Sequence, residues 1–74
     1  MIFTQLRSFH AVATENGFTA ASKVLNVGQP TLTSQVRALE DMFKVELFHR
    51  RGREIALTEA GHALLAVTRR IMDL

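Results

Sequence analysis

Cysteine is absent from the 74 residues. That excludes disulfide staples and every thiolate zinc site, and it leaves stability to packing or to a partner chain. Proline occurs once, as Pro30, and no internal repeat or low-complexity stretch is visible, so the chain reads as short elements joined by tight connections. No apolar run is long enough to span a bilayer. Residues 1–9 also lack the basic start and long apolar stretch of an export signal, so the expected location is the cytoplasm, with no membrane partner. Neither a glycine-rich phosphate loop nor a nucleophile elbow nor a pair of catalytic carboxylates appears. His10, His49 and His62 have no carboxylate or cysteine at ligand spacing. Catalysis, a cofactor and a metal site are therefore not expected in a chain with room for one small core.

What is present is 47% hydrophobic and 22% charged residues, a balance too apolar for a disordered tail and typical of a soluble globular domain. The net charge of +2 says little until the charges are located. Arg50, Arg51 and Arg53 fall within four positions, beside His49 and opposed only by Glu54, while Glu40, Asp41 and Glu46 gather just upstream. This is a local basic projection on a nearly neutral body.

Ile2, Leu6, Phe9 and Ala13 recur at helical spacing, with Thr4 as N-cap and Asn16-Gly17 as a stop. Thr19 is placed to cap a second, shorter helix carrying Ala20, Ala21, Val24 and Leu25, which Asn26 to Gly28 end. A third helix begins at Gln29 or Pro30, since proline suits the first turn, and runs to about Phe43. Its buried stripe is Leu32, Val36, Leu39 and Phe43, and Pro30, Thr31, Ser34, Arg37 and Ala38 lie opposite. That outer face is small and polar at its start, as a helix requires if its backbone is to come close to another molecule. Beyond Leu47 and Phe48 the pattern changes to period two, with Ile55 and Leu57 alternating with Glu54, Ala56 and Thr58, which predicts a hairpin with Gly52 near its tip. Thr58 then caps a last helix in which Ala60, Leu64, Val67, Ile71 and Leu74 form one stripe, with Leu65 and Met72 on a neighbouring face. Two apolar faces on one helix of so small a domain point to pairing with a second copy.

Helix, helix, tight turn, helix and hairpin is the order of a winged helix-turn-helix, in which the helix after the turn lies in a DNA major groove. Gln29, Thr31, Ser34 and Arg37 offer hydrogen-bonding groups there, the amides at the helix start can meet a phosphate, and the arginine-rich hairpin suits a narrow minor groove. The fold class is thus mainly α, with a winged helix-turn-helix over residues 1–58, built of a three-helix core and a small wing, and a linker or dimerisation helix over residues 59–74.

A set of short motifs sharpens this reading. Phe9, Val12 and Ala13 are followed by Gly17-Phe18-Thr19-Ala20-Ala21 and Leu25, then by Gln29-Pro30 and Leu39-Glu40. Leu47-Phe48-His49-Arg50-Arg51-Gly52-Arg53 comes next, and Leu57-Thr58-Glu59-Ala60-Gly61 closes the series. Each is weak alone, but in this order and spacing the chain resembles, over essentially its whole length, the N-terminal DNA-binding domain and linker helix of LysR-type bacterial transcriptional regulators. The resemblance implies a protein of roughly three hundred residues, whose further domain, of the periplasmic-binding-protein type, would bind a small-molecule inducer. It also implies a homodimer through the last helix and a tetramer at full length; here the dimer contacts would be Leu64, Leu65, Val67, Ile71, Met72 and Leu74.

Carried onto this sequence, the family's base and phosphate contacts fall on Gln29, Pro30, Thr31, Thr33, Ser34 and Arg37, with Arg53 reaching the minor groove. Arg50 and Arg51 complete the candidate set. Gly28 stands where the family usually has a capping serine, a loss of roughly a few tenths of a kcal/mol. Thr33 keeps the hydroxyl of the usual serine, and Arg51 adds a charge where threonine is common. Alternatives remain beside these roles: Gln29 as a simple cap, Arg37 as an intrahelical partner of Asp41, and Arg50 as an ion-pair partner of Glu40 or Glu46 instead of a phosphate contact. The competing function class is a winged helix that binds another protein, or serves only dimerisation, without touching DNA. The small and basic outer face of helix three lacks the apolar anchors that such a surface uses.

Overall fold

The structure, a computed structural model, describes residues 2–52 and 54–72. Four helices and one hairpin follow one another: α1 (Ile2–Glu15), α2 (Phe18–Leu25), α3 (Gln29–Phe43), β1 (Phe48–Arg51), β2 (Glu54–Leu57) and α4 (Glu59–Met72). None of these helices is long and apolar enough to cross a membrane.

The connections between the first three helices are set by asparagine. Asn16 takes φ 60°, and the amide of Gly17 donates back to the Val12 carbonyl at 3.1 Å. Asn26 takes φ 57°, with the Val27 amide donating to the Ser22 carbonyl at 3.1 Å. Both are helix stops in which a left-handed residue turns the chain and satisfies orphan carbonyls; asparagine tolerates that conformation better than other residues with a side chain. The stops leave α1 in contact with both α2 and α3.

Two expected caps are not caps. Thr4 lies inside α1, because nothing at Ile2 or Phe3 interrupts the helix. The second helix starts two residues earlier than expected, at Phe18, with Gly17 as an N-cap that makes no side-chain hydrogen bond. The early start brings the Phe18 ring edge-on to Phe48, 6.0 Å between centroids. Thr19 is left facing outward.

The core consists of Phe9, Ala11 and Val12 from α1, Ala21 from α2, Leu32, Val36 and Leu39 from α3, Leu47 and Phe48 at the start of the hairpin, and Leu65 from α4. Phe48 stacks at a tilt on Phe9 with 5.4 Å between centroids. Between α1 and α3, the buried Ser8 hydroxyl donates to Gln35 Oε1. Phe43 does not complete the stripe of α3, since it is 48% exposed. The helix ends there at Lys44, which takes φ 59°, and Leu47 and Phe48 fill the core in its place.

The hairpin pairs Phe48 with Leu57 and Arg51 with Glu54 in antiparallel register. Gly52 opens its turn at φ 57°, a left-handed conformation that glycine adopts without steric cost. Thr58 caps α4 as its sequence position predicts: its hydroxyl oxygen accepts from the Gly61 amide at 2.9 Å and its own proton goes to the Glu46 carbonyl at 2.6 Å. The face of α4 turned inward carries Gly61, Leu65 and Thr68. Thr68 is fully buried and meets His10 Nδ1 of α1 at 2.8 Å.

Candidate nucleic-acid interface

The turn between α2 and α3 delivers the start of α3 to the surface. Val27 folds back against the core while Gly28, in extended backbone, precedes the first helical residue. Pro30 sits in the first turn, where its missing amide proton is not needed. From there Pro30, Thr31, Ser34 and Arg37 are all exposed on the side of α3 away from Leu32, Val36 and Leu39, and Gln29 is exposed at its tip. The helical spacing alone predicts this division.

Thr33 lies at the flank of that face and is half-buried. It lines a cleft of about 410 Å³ between α3 and the hairpin, together with Thr19, Gln29, Arg37, Arg50 and Gly52. Gln29 does not cap its own helix. Its Nε2 donates to the Thr19 hydroxyl oxygen at 3.2 Å, across the turn. Arg37 is exposed and makes no ion pair with Asp41 among the described residues.

The structure divides the arginines of the hairpin. Arg50 lies on the same face of β1 as Phe48, because side chains alternate along a strand, and that face meets α2 and α3. Its guanidinium is 3.5 Å from Glu40 Oε1 and 5.6 Å from the centroid of the Phe18 ring. Glu40 in turn accepts the Leu47 amide at 2.8 Å through Oε2. Of the ion-pair partners open for Arg50, the geometry selects Glu40 over Glu46; the arginine stays exposed and lines the same cleft as Gln29, Thr33 and Arg37. Arg51 is exposed on the opposite face, directly across from Glu54. Arg53 lies outside the described residues.

On α4, the expected dimer set also divides. Leu65 is only 7% exposed and belongs to the core, which removes it from the outer surface. Val67 and Ile71 are 51% and 42% exposed, and Leu64 and Met72 are half-buried; Leu74 lies outside the described residues. The outer stripe continues into a shallow apolar groove of about 300 Å³ with Phe43, Val45, Leu47, Ala60 and Ala63. Sequence periodicity misses Phe43 and Val45 as part of this surface, since it assigns Phe43 to the core and has no rule for Val45 in a connection.

A three-helix core with an exposed, small-residue third helix and a hairpin beside it defines a winged helix-turn-helix module. The family model for the bacterial regulatory helix-turn-helix proteins of the lysR family matches residues 3–62, and the chain belongs to that family. It is 49% identical over 74 residues to the HTH-type transcriptional regulator TcbR of Pseudomonas sp. (strain P51), covering all of this chain and 25% of that protein. It is 45% identical over 67 residues to the RuBisCO operon transcriptional regulator of Allochromatium vinosum, covering 90% of this chain and 22% of that one. Among solved structures, the CbnR_DBD-DNA complex superposes with a TM-score of 0.90 at 48% identity, over 99% of this chain and 84% of that one. An OxyR of Corynebacterium glutamicum superposes with a TM-score of 0.89 at 33% identity, over 99% of this chain and 22% of that one. These relatives are transcriptional regulators and not enzymes, and the chain spans about a quarter of the length of the curated ones.

Proposed function

We propose that this chain is the double-stranded-DNA-reading module of a LysR-type transcriptional regulator. The observation that carries the reading is the face of α3 on which Gln29, Thr31, Ser34 and Arg37 are exposed together beside the hairpin. A helix can enter a major groove only where its outer face is small enough for its backbone to approach the bases, and these side chains supply donors and acceptors of matching reach. Gln29, Thr31 and Ser34 read base edges; Pro30 packs at the helix start; Thr33 and Arg37 contact phosphate, which sets register. Arg51 adds charge along the backbone, and Arg53 enters the minor groove, where narrow A·T-rich stretches have the most negative potential.

Two copies pair through α4, using Leu64, Val67, Ile71, Met72 and Leu74. They present their α3 helices to an interrupted inverted repeat whose half-sites lie about one helical turn, roughly 34–36 Å, or a multiple of it apart. In a full-length regulator, a domain outside this chain binds the small-molecule inducer and dimers assemble into tetramers, acting in the cytoplasm.

A fluorescence anisotropy titration tests the reading. The chain is titrated against a duplex selected from random sequence and against a scrambled duplex, at several salt concentrations. Tighter binding to the selected duplex, with affinity for both falling steeply in salt, is the expected result. Equal and weak binding to both duplexes overturns it and favours the protein-binding alternative.

A further inference from the structure

Thr19 has no task in the folding of α2, yet it lies where a task in recognition would place it. It is exposed, it does not cap its helix, and its hydroxyl oxygen accepts the Nε2 proton of Gln29 from ten residues away. We infer that Thr19 is a positioning residue that orients the Gln29 amide for base recognition. The inference rests on the DNA-binding reading and extends it to a residue that makes no base contact of its own.

The argument begins with the freedom of Gln29. As the first residue of α3, it is not held by an i+4 neighbour on the preceding turn, and its three side-chain torsions leave the amide free to sweep a wide arc. Reading adenine bidentately requires one amide proton toward N7 and the amide oxygen toward the N6 amino group, both in the base plane. A glutamine amide has two protons and one oxygen. With one proton on Thr19, the second proton and Oε1 remain, which is the complement that adenine needs.

The separation of the two side chains does not depend on the weak hydrogen bond itself. It is imposed by the turn, in which Asn26 takes its left-handed conformation, the Val27 amide returns to the Ser22 carbonyl and the Ser22 hydroxyl donates to the Val27 carbonyl. The start of α2 and the start of α3 are thereby held at a fixed spacing, and both residues line the same cleft. In water an exposed bond of this kind adds little to stability. Once a groove excludes water from it, it fixes the plane of the amide and reduces the freedom that binding must otherwise remove.

The test is a double-mutant cycle on this chain. Thr19→Val removes the hydroxyl and keeps the branched shape, Thr19→Ser keeps the hydroxyl, and Gln29→Ala removes the reader. Anisotropy competition is run on the selected duplex and on duplexes with each other base pair at the position where Gln29→Ala relaxes preference. Thr19→Val is expected to lower discrimination at that one position by about threefold to tenfold, a fraction of what losing a bidentate contact costs. Thr19→Ser is expected to retain it, and Thr19→Val added to Gln29→Ala to change nothing further. Unchanged discrimination in Thr19→Val overturns the inference while leaving the DNA-binding reading intact. So does an equal loss in the Gln29→Ala background, which makes Thr19 a DNA contact in its own right. A wild-type chain with no preferred duplex overturns both.

Discussion

Gly61 in α4 stands so close to Leu47 that a methyl group on its Cα would lie 2.2 Å from the Leu47 carbonyl oxygen and 2.9 Å from Leu57 Cδ2. The obstacle at 2.2 Å is backbone, and that same carbonyl accepts the Thr58 amide at 3.0 Å, so it cannot move without opening the base of the hairpin. Gly61→Ala should therefore destabilise the fold by about 2 kcal/mol or more, despite the better helix propensity of alanine. For a domain of this size that is a fall in melting temperature of roughly 10 °C. Thermal denaturation followed by circular dichroism checks it, and a shift within a degree or two would show that α4 does not seat as described.

Glu40 and Arg50 form a pair whose two members are not equally important. Arg50 is about a third exposed, and its ion pair at 3.5 Å is worth at most about 1 kcal/mol. Glu40 also receives the amide of the buried Leu47 at 2.8 Å. Its loss leaves that amide without a partner, at a cost of about 1–3 kcal/mol. Urea unfolding should show Glu40→Ala to be clearly more damaging than Arg50→Ala; the reverse order would make the arginine the principal member of the pair.

Thr68 is fully buried between α4 and α1, with His10 Nδ1 at 2.8 Å and its hydroxyl proton directed to the Leu65 carbonyl at 3.2 Å. Thr68→Val preserves shape and removes the hydroxyl, leaving His10 unpartnered, for an expected loss of about 1–2 kcal/mol. Thr68→Ser, which keeps the hydroxyl and gives up one methyl, should cost about 1 kcal/mol through packing alone. Amide hydrogen exchange checks the order, since the valine variant should lose more protection than the serine variant along both helices at their contact.

Leu65 and Val67 are two residues apart and should behave in opposite ways. Leu65→Ala opens a hole in the core and should cost about 2–5 kcal/mol at any protein concentration. Val67→Asp alters an exposed position, so the protomer should still fold. If α4 is the dimer surface, the wild-type melting temperature rises with concentration and that of Val67→Asp does not. Sedimentation equilibrium gives the same answer directly: a Val67→Asp chain that self-associates as wild type does would remove α4 from the interface.

Local chemistry made much of this molecule legible in advance. Helical spacing marked Leu32, Val36 and Leu39 as buried and Thr31, Ser34 and Arg37 as exposed, alternation marked the hairpin, and Thr58 was recognisable as a cap because its partner is three residues away. The motifs from Phe9 to Gly61 pointed to the family in the same way. The tertiary structure decided the rest. Periodicity finds two apolar faces on α4 but not which of them the core takes, so Leu65 and Val67 were indistinguishable until α1 was placed against one side. Phe43 has the spacing of a core residue and lies beyond the core's edge. A hydroxyl at Thr19 looks like a cap because its partner lies ten residues away, and Glu40 is legible as one of two possible partners of Arg50 but not as the acceptor of the Leu47 amide. Gly61 carries no sign of the carbonyl of Leu47 beside it. A sequence specifies the interactions that span a turn or a strand; those between distant residues depend on how whole elements are seated, and only the packed chain sets those distances.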